Sequence, residues 1–169
     1  PDAPVLDVLA MIAGQGDSSH LSLQVKRRHT LVNDVYAYAY TPKDAGMFAV
    51  TLTVPKGDPT EALSASARVL AQLQHHLVDE EELATVKALI ESEAVYQRES
   101  MPGLARKLGS YETDTGIERE AVYYEQIAQV TPQKMREVAQ RYLKWENAAV
   151  TGLLPVGVKL SDDDAREIL

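Results

Sequence analysis

The spacing of apolar positions divides this chain into a helical opening, a strand-patterned stretch and a long helical remainder. From Pro1 to Ala13, Val5, Leu6, Val8, Leu9, Ile12 and Ala13 recur along one helical face. Asp2-Ala3-Pro4 predicts the start of that helix, and Gly14-Gln15-Gly16-Asp17-Ser18-Ser19 predicts its end. A shorter helix is predicted from about Ser19 to His29, with Leu21 and Val25 on one side. Lys26, Arg27 and Arg28 fall in its last turn, where the helix dipole favours cations. The period then changes to two. Val35, Ala37 and Ala39 alternate with Tyr36, Tyr38 and Tyr40. After the turn residues 41–46, Phe48, Val50, Leu52 and Val54 alternate with Met47, Ala49, Thr51 and Thr53. So short a connection predicts an antiparallel hairpin.

Beyond Pro55 the pattern is mostly helical. Asp58-Pro59-Thr60-Glu61 reads as N-cap, proline at the first position and a glutamate that closes a capping box. Leu63, Ala67, Leu70, Leu73 and Leu77 are its predicted inward face. Asp79-Glu80-Glu81-Glu82 opens the next helix, whose stripe is Leu83, Val86, Ile90 and Ala94. Ser100, Pro102 and Gly103 punctuate the chain. Shorter helices are predicted over 104–111 and 117–128, and a last one from Thr131-Pro132 to near Leu143. Residues 147–154, with Ala149, Val150 and Leu153, carry a third strand pattern. Segregated runs of strands and helices predict an α+β domain of two layers, an antiparallel sheet covered by helices. The sheet is thin for so many helices, so a further strand of the domain is expected upstream of Pro1.

At 169 residues the length suits one domain. Seventeen Lys and Arg against 25 Asp and Glu give a formal charge of -8, which argues against nucleic acid as the main partner. No apolar run reaches the roughly 20 residues of a membrane span, so membrane insertion is not expected. With no cysteine, disulfides, thiolate metal sites and a Cys nucleophile are excluded within the chain. The start at Pro1, with neither an initiator Met nor a signal-like segment, reads as a piece of something longer.

Chemistry-bearing residues are sparse. His75 and His76 lie near Glu80, Glu81 and Glu82, but adjacent residues on a helix diverge by about 100°, whereas a helical zinc pair needs ligands one turn apart. An exposed helix end followed by dipole-favoured acids accounts for this cluster. Lys26-Arg27-Arg28-His29 is either a solvated helix end or a patch holding a peptide carboxylate or backbone. Tyr36, Tyr38 and Tyr40 form either ordinary sheet packing or the wall of a peptide-binding cavity. Gly14-x-Gly16 is too short for a dinucleotide fingerprint, and Ser18 and Ser19 lack any nucleophile motif.

The ordered segments PDAPVLDVLAMIAGQGDSSHLSLQVKRRHTLVNDVYAYAY, DAGMFAVTLTVPKG, VDEEELATVKALIESE and VTPQKMREVAQRYLKWENAAVTGLLP resemble the C-terminal-type domain of the pitrilysin/insulinase zinc metallopeptidases. The resemblance spans residues 1–155, leaving 156–169 as a linker or terminal extension. It implies a mitochondrial-processing-peptidase-like metallohydrolase domain, in agreement with the α+β reading. Active members carry His-x-x-Glu-His in a catalytic domain, and this chain lacks it. The resemblance therefore implies no cofactor within this chain, and zinc in a neighbouring catalytic domain upstream in the same polypeptide. Similar domains supply an Arg and, seven residues on, a Tyr that hold the substrate peptide; matching Ser18-Ser19-His20-Leu21 to the family's SSRL places Lys26 and Asn33 there. Lys26 keeps the charge without the bidentate fork, and Asn33 keeps hydrogen bonding alone.

The implied function is a noncatalytic domain that packs beside the HxxEH domain and helps enclose peptide substrates, with Lys26, Asn33, Tyr36 and Tyr38 facing the peptide. A non-enzymatic scaffold or partner-binding subunit with the same fold is the rival. An unrelated enzyme using Asp and Glu has only scattered carboxylates behind it. Bacterial relatives of this type are often exported, so the resemblance implies an extracytoplasmic site.

Overall fold

Helix α1 (Ala3–Gly14) is buried on nearly every side in a computed structural model that describes residues 1–55, 59–114 and 116–156. Val8, Leu9, Ala10 and Ala13 have no exposed surface. A helix apolar around most of its circumference is stable only when other elements cover several of its sides. Those elements follow in order: a π-helical segment (Ser22–Arg28), β1 (Asp34–Tyr40), β2 (Met47–Thr53), α2 (Thr60–His75), α3 (Glu80–Glu99), α4 (Met101–Asp114), α5 (Arg119–Ala128), α6 (Pro132–Tyr142) and a 3-10 turn (Trp145–Asn147). α1 packs chiefly on β1, α6, α3 and α5.

β1 and β2 form the expected antiparallel hairpin, with Val35 opposite Leu52 and Ala37 opposite Val50. Val35 and Ala37 are buried toward α1. Gly14 makes that approach possible: a Cβ there would lie 2.7 Å from both Cβ and N of Ala37. Helix and strand meet through two of the smallest residues, and Gly14 serves packing in addition to ending the helix. Together these elements make an α+β domain, helix-rich over a small antiparallel sheet.

Several local expectations hold. Thr131 caps α6 by accepting a hydrogen bond from Lys134 N (3.1 Å), and Asp79 caps α3 by accepting from Glu81 N (2.9 Å). Leu83, Val86, Ile90 and Ala94 are the buried stripe of α3. Leu21 and Val25 are fully buried.

Others are corrected. The short helix predicted over Ser19 to His29 is π-helical through most of its length and closes with the Leu31 N–H donating to the Val25 carbonyl (3.1 Å), a closure that holds the intervening Thr30 at a positive φ of 51°. Helix α4 begins at Met101 rather than 104, because Pro102 is tolerated in a first turn and Ser100 Oγ accepts from Gly103 N (3.1 Å). The buried face of α2 is Ala62, Ala65, Ser66, Val69 and Leu73. Leu63 and Leu70 are half-buried beside that face, and Leu77 lies beyond the helix end and is exposed. The third strand does not form: residues 148–154 have no ladder partner among the described residues, and an extended segment without paired N–H and C=O groups is not a strand. Asp58, the expected N-cap of α2, and all but Val156 of the proposed extension 156–169 lie outside the described residues.

Candidate functional site

Strand parity places Asp34, Tyr36, Tyr38 and Tyr40 on one face of β1, opposite the face that meets α1. Tyr36 and Tyr40 are 47% and 57% exposed, while Tyr38 is half-buried. The Tyr36 and Tyr38 rings stack along the strand, with centroids 6.2 Å apart and planes 27° from parallel. Across the hairpin their register partners are Thr51 and Ala49, and Tyr40 faces the exposed Met47. The face thus offers broad aromatic area bordered by phenolic hydroxyls, a combination suited to a peptide's apolar and polar parts together.

The π-helical segment brings Lys26 to this face. Its Nζ lies 3.1 Å from Asp34 Oδ1, both side chains being open to solvent. An ion pair this exposed is weak and exchangeable, so Lys26 can release Asp34 for another anion. Asn33 stands just before β1, exposed, its backbone N–H donating to the Thr53 carbonyl (2.7 Å). Its parity is that of Val35, so it adjoins the tyrosines at the strand entrance without sharing their face. Of the other cations in this patch, Arg27 pairs with Asp17 (2.8 Å).

The histidines do not assemble. His20 Nε2 lies 3.0 Å from Glu82 Oε1, a pairing across 62 residues. His29, His75 and His76 are exposed, the last two at the end of α2. Among the described residues no group of three or more His, Asp and Glu is placed to hold a metal, so these side chains do not fit a zinc ion.

Sequence reasoning missed a polar cluster where α1, α3, α4 and α5 meet. Tyr123 donates its hydroxyl to Asp7 Oδ2 at 2.7 Å. Burial raises the Asp7 carboxyl above its ordinary range, against the lowering effect of that hydrogen bond. Burial also drives the Tyr123 phenol far upward and lifts Tyr111 to about 12. Lys107, 8% exposed, places Nζ 2.7 Å from Glu120 Oε1, 3.0 Å from Tyr124 Oη and 4.9 Å from the Tyr124 ring centre. Arg98 reaches the same Glu120 oxygen. Burial pushes Glu120 up, but the hydrogen bonds from Lys107 and Arg98 prevail and hold it below its ordinary value. Every partner here is supplied by the protein itself, so the cluster fastens helices. One sequence signal pointed to it: Asp7 interrupts an otherwise apolar helix.

A cleft of about 630 Å³ opens between β2, α2 and residues 142–150. Phe48, Val50 and Leu52 line one wall, Leu63, Ala67 and Leu70 another, with Ala148, Ala149 and Val150 opposite and Pro1, Asp2 and Ala3 at the chain's entry to α1.

Helices over a small antiparallel sheet, with an exposed tyrosine face on β1, define an α+β domain. Residues 1–90 match the model of the peptidase M16 inactive domain, and the chain belongs to that family. Among solved structures, a protease from Helicobacter pylori superposes with a TM-score of 0.79 at 19% identity, over 85% of this chain and 35% of its own. A candidate zinc protease from Bordetella pertussis gives 0.74 at 19% identity, over 87% of this chain and 82% of its own. The peptidase M16 inactive domain from Pseudomonas fluorescens gives 0.74 at 19% identity, over 85% and 35%. The chain thus spans about a third of two of these proteins and most of the other. A comparison with curated proteins found no match.

Proposed function

We propose that this chain is a noncatalytic domain of a zinc metallopeptidase, packed beside an HxxEH domain of the same polypeptide and forming part of the wall that faces the peptide substrate. The observation that carries the reading is the division of labour on β1. Val35 and Ala37 are taken up by α1, while Tyr36, Tyr38 and Tyr40 present an aromatic face to solvent. Tyr36 and Tyr38 supply stacking area and Lys26 a cation for a peptide carbonyl or carboxylate, with Asn33 adding hydrogen bonding at the strand entrance. In the neighbouring domain zinc would polarise the scissile carbonyl and activate water. The contribution of residues 1–155 is to position the peptide and limit its escape.

In the parent polypeptide, Tyr36→Ala with Tyr38→Ala is expected to raise KM for peptides several-fold with a smaller change in kcat, since binding common to ground and transition states is removed. Lys26→Ala is expected to act in the same direction. Peptide turnover unaltered in both variants sinks the substrate-facing role. Sequencing upstream of Pro1 supplies an independent check. A polypeptide without His-x-x-Glu-His, together with no peptidase partner encoded nearby, assigns the domain to a scaffold. Stoichiometric zinc in residues 1–169 with chelator-sensitive cleavage overturns the noncatalytic reading.

A further inference from the structure

Every α-helix but α4 buries at least one apolar side chain among the described residues. In α4 the buried side chain is Lys107; Met101 and Leu108 are exposed, and Leu104 and Tyr111 are half-buried. Helix α3, on which α4 chiefly packs, buries Leu83, Val86, Ile90 and Ala94. Burial of an apolar face is what holds most helices onto a domain, and α4 has little of it. Its hold comes instead from one cation. Lys107 Nζ lies 2.7 Å from Glu120 Oε1 and 3.0 Å from Tyr124 Oη, both on α5. A turn stands at each end of the helix: Ser100 is extended where α3 stops, with φ -106° and ψ 137°, and Gly116 has a positive φ of 92°.

We infer that α4 is a detachable arm, released about the turns at Ser100 and Gly116 while the other elements stay folded, with Lys107 as its catch. The balance of forces makes release a separate event. Opening α4 exposes little apolar surface, so it forfeits little of the hydrophobic term that keeps α1 and α3 in place. Water rehydrates the freed ammonium, which cancels much of the attraction lost from Glu120. Arg98, on α3, stays on the same Glu120 oxygen, so release does not strand that carboxylate. The consequence lies in the stripe that the arm carries. Met101, Leu104, Leu108 and Tyr111 are spaced by three, four and three residues, along one face of a helix. Attachment keeps Leu104 and Tyr111 partly covered and release uncovers them, so the catch sets how much apolar face the domain shows. This inference stands independently of the substrate-facing role of the tyrosines.

The test uses the parent polypeptide under native conditions. A released helix of 14 residues is marginal in water. The amides of residues 105–113 are therefore expected to exchange at least about 100-fold faster than those of residues 86–94 in α3, with a far weaker dependence on urea. Equal protection, or an equal urea dependence, overturns the inference. Brief trypsin treatment is expected to cut after the exposed Arg106 sooner than after the exposed Arg68 of α2. Cleavage in the reverse order overturns it. Lys107→Met is expected to speed exchange of the α4 amides about tenfold or more, as loss of a hydrogen-bonded charge contact does. Unchanged α4 exchange in that variant overturns the assignment of Lys107 as the catch. Should the variant fail to fold, exchange and proteolysis of the unaltered protein decide the question without it.

Discussion

Replacing Gly14 by Ala tests how tightly α1 is set against the hairpin. The new methyl would lie 2.7 Å from Ala37 Cβ, 2.7 Å from Ala37 N and 3.1 Å from Leu21 Cδ1. Favourable carbon contacts begin near 3.5 Å, so two of these are roughly 0.8 Å too close. A flexible side chain could retreat, but the Ala37 amide belongs to β1, which is in register with β2 along its whole length. Opposing this, alanine improves helix propensity by up to about 1 kcal/mol, and by less in a last turn. Overpacking typically costs about 1–3 kcal/mol. The net expectation is a loss of about 1–2 kcal/mol, a Tm lower by roughly 2–8 °C for a domain of this size. Thermal and urea unfolding followed by circular dichroism measure it. Adding Ala37→Gly removes the contact between methyls but leaves the amide contact, so it should restore only part of the loss. A Tm for Gly14→Ala equal to or above that of the unaltered protein would refute the close approach.

Two further predictions concern the polar cluster. Because burial raises the Asp7 carboxyl, its favourable contribution is complete below the unfolded value and is lost as pH rises through the folded one. Asp7→Asn should therefore gain stability relative to the unaltered protein as pH climbs from about 4 to 7, read as the difference in urea midpoints; a pH-independent difference contradicts the assignment. Lys107→Met should cost about 1–3 kcal/mol, since Glu120 keeps Arg98 but Tyr124 loses its donor. Glu120→Gln in that background should recover part of the loss in a double-mutant cycle, and strict additivity would show the pair to be uncoupled.

What the sequence made legible is what local pattern controls. The two faces of the hairpin follow from alternation, and the stripe of α3 follows from 3.6-residue spacing, because each needs neighbours only a few residues away. The caps at Asp79 and Thr131 are local in the same sense. Misplacements arose where a tertiary partner decides. Ala62, Ala65 and Val69 displaced Leu63, Ala67 and Leu70 from the interior of α2, since small side chains let that helix pack closely while the leucines border the cleft. The 147–154 pattern resembled a strand but found no partner within the described residues. His20 with Glu82, and Asp7 with Tyr123, join residues 62 and 116 positions apart, distances over which composition and periodicity carry no information. Of the peptide-facing residues expected from family resemblance, Lys26 and the tyrosines border one open face, whereas Asn33 sits at its margin.

The π-helical segment also constrains how the chain tolerates changes in length. A wide turn accommodates an additional residue without lengthening the helix axis in proportion. Deleting one residue between Ser22 and Arg28 would return the segment toward α-helical winding, keeping the flanking residues in phase while shifting the positions of Val25 and Lys26 within the turn. Leu21, upstream, would keep its place, while Val25 and Lys26 would shift together, loosening the Lys26–Asp34 pair. Because Val25 lies fully buried in the same segment, an indel here would disturb the core together with the Lys26–Asp34 pair, so this turn couples the packing beneath the hairpin to the charges at its edge.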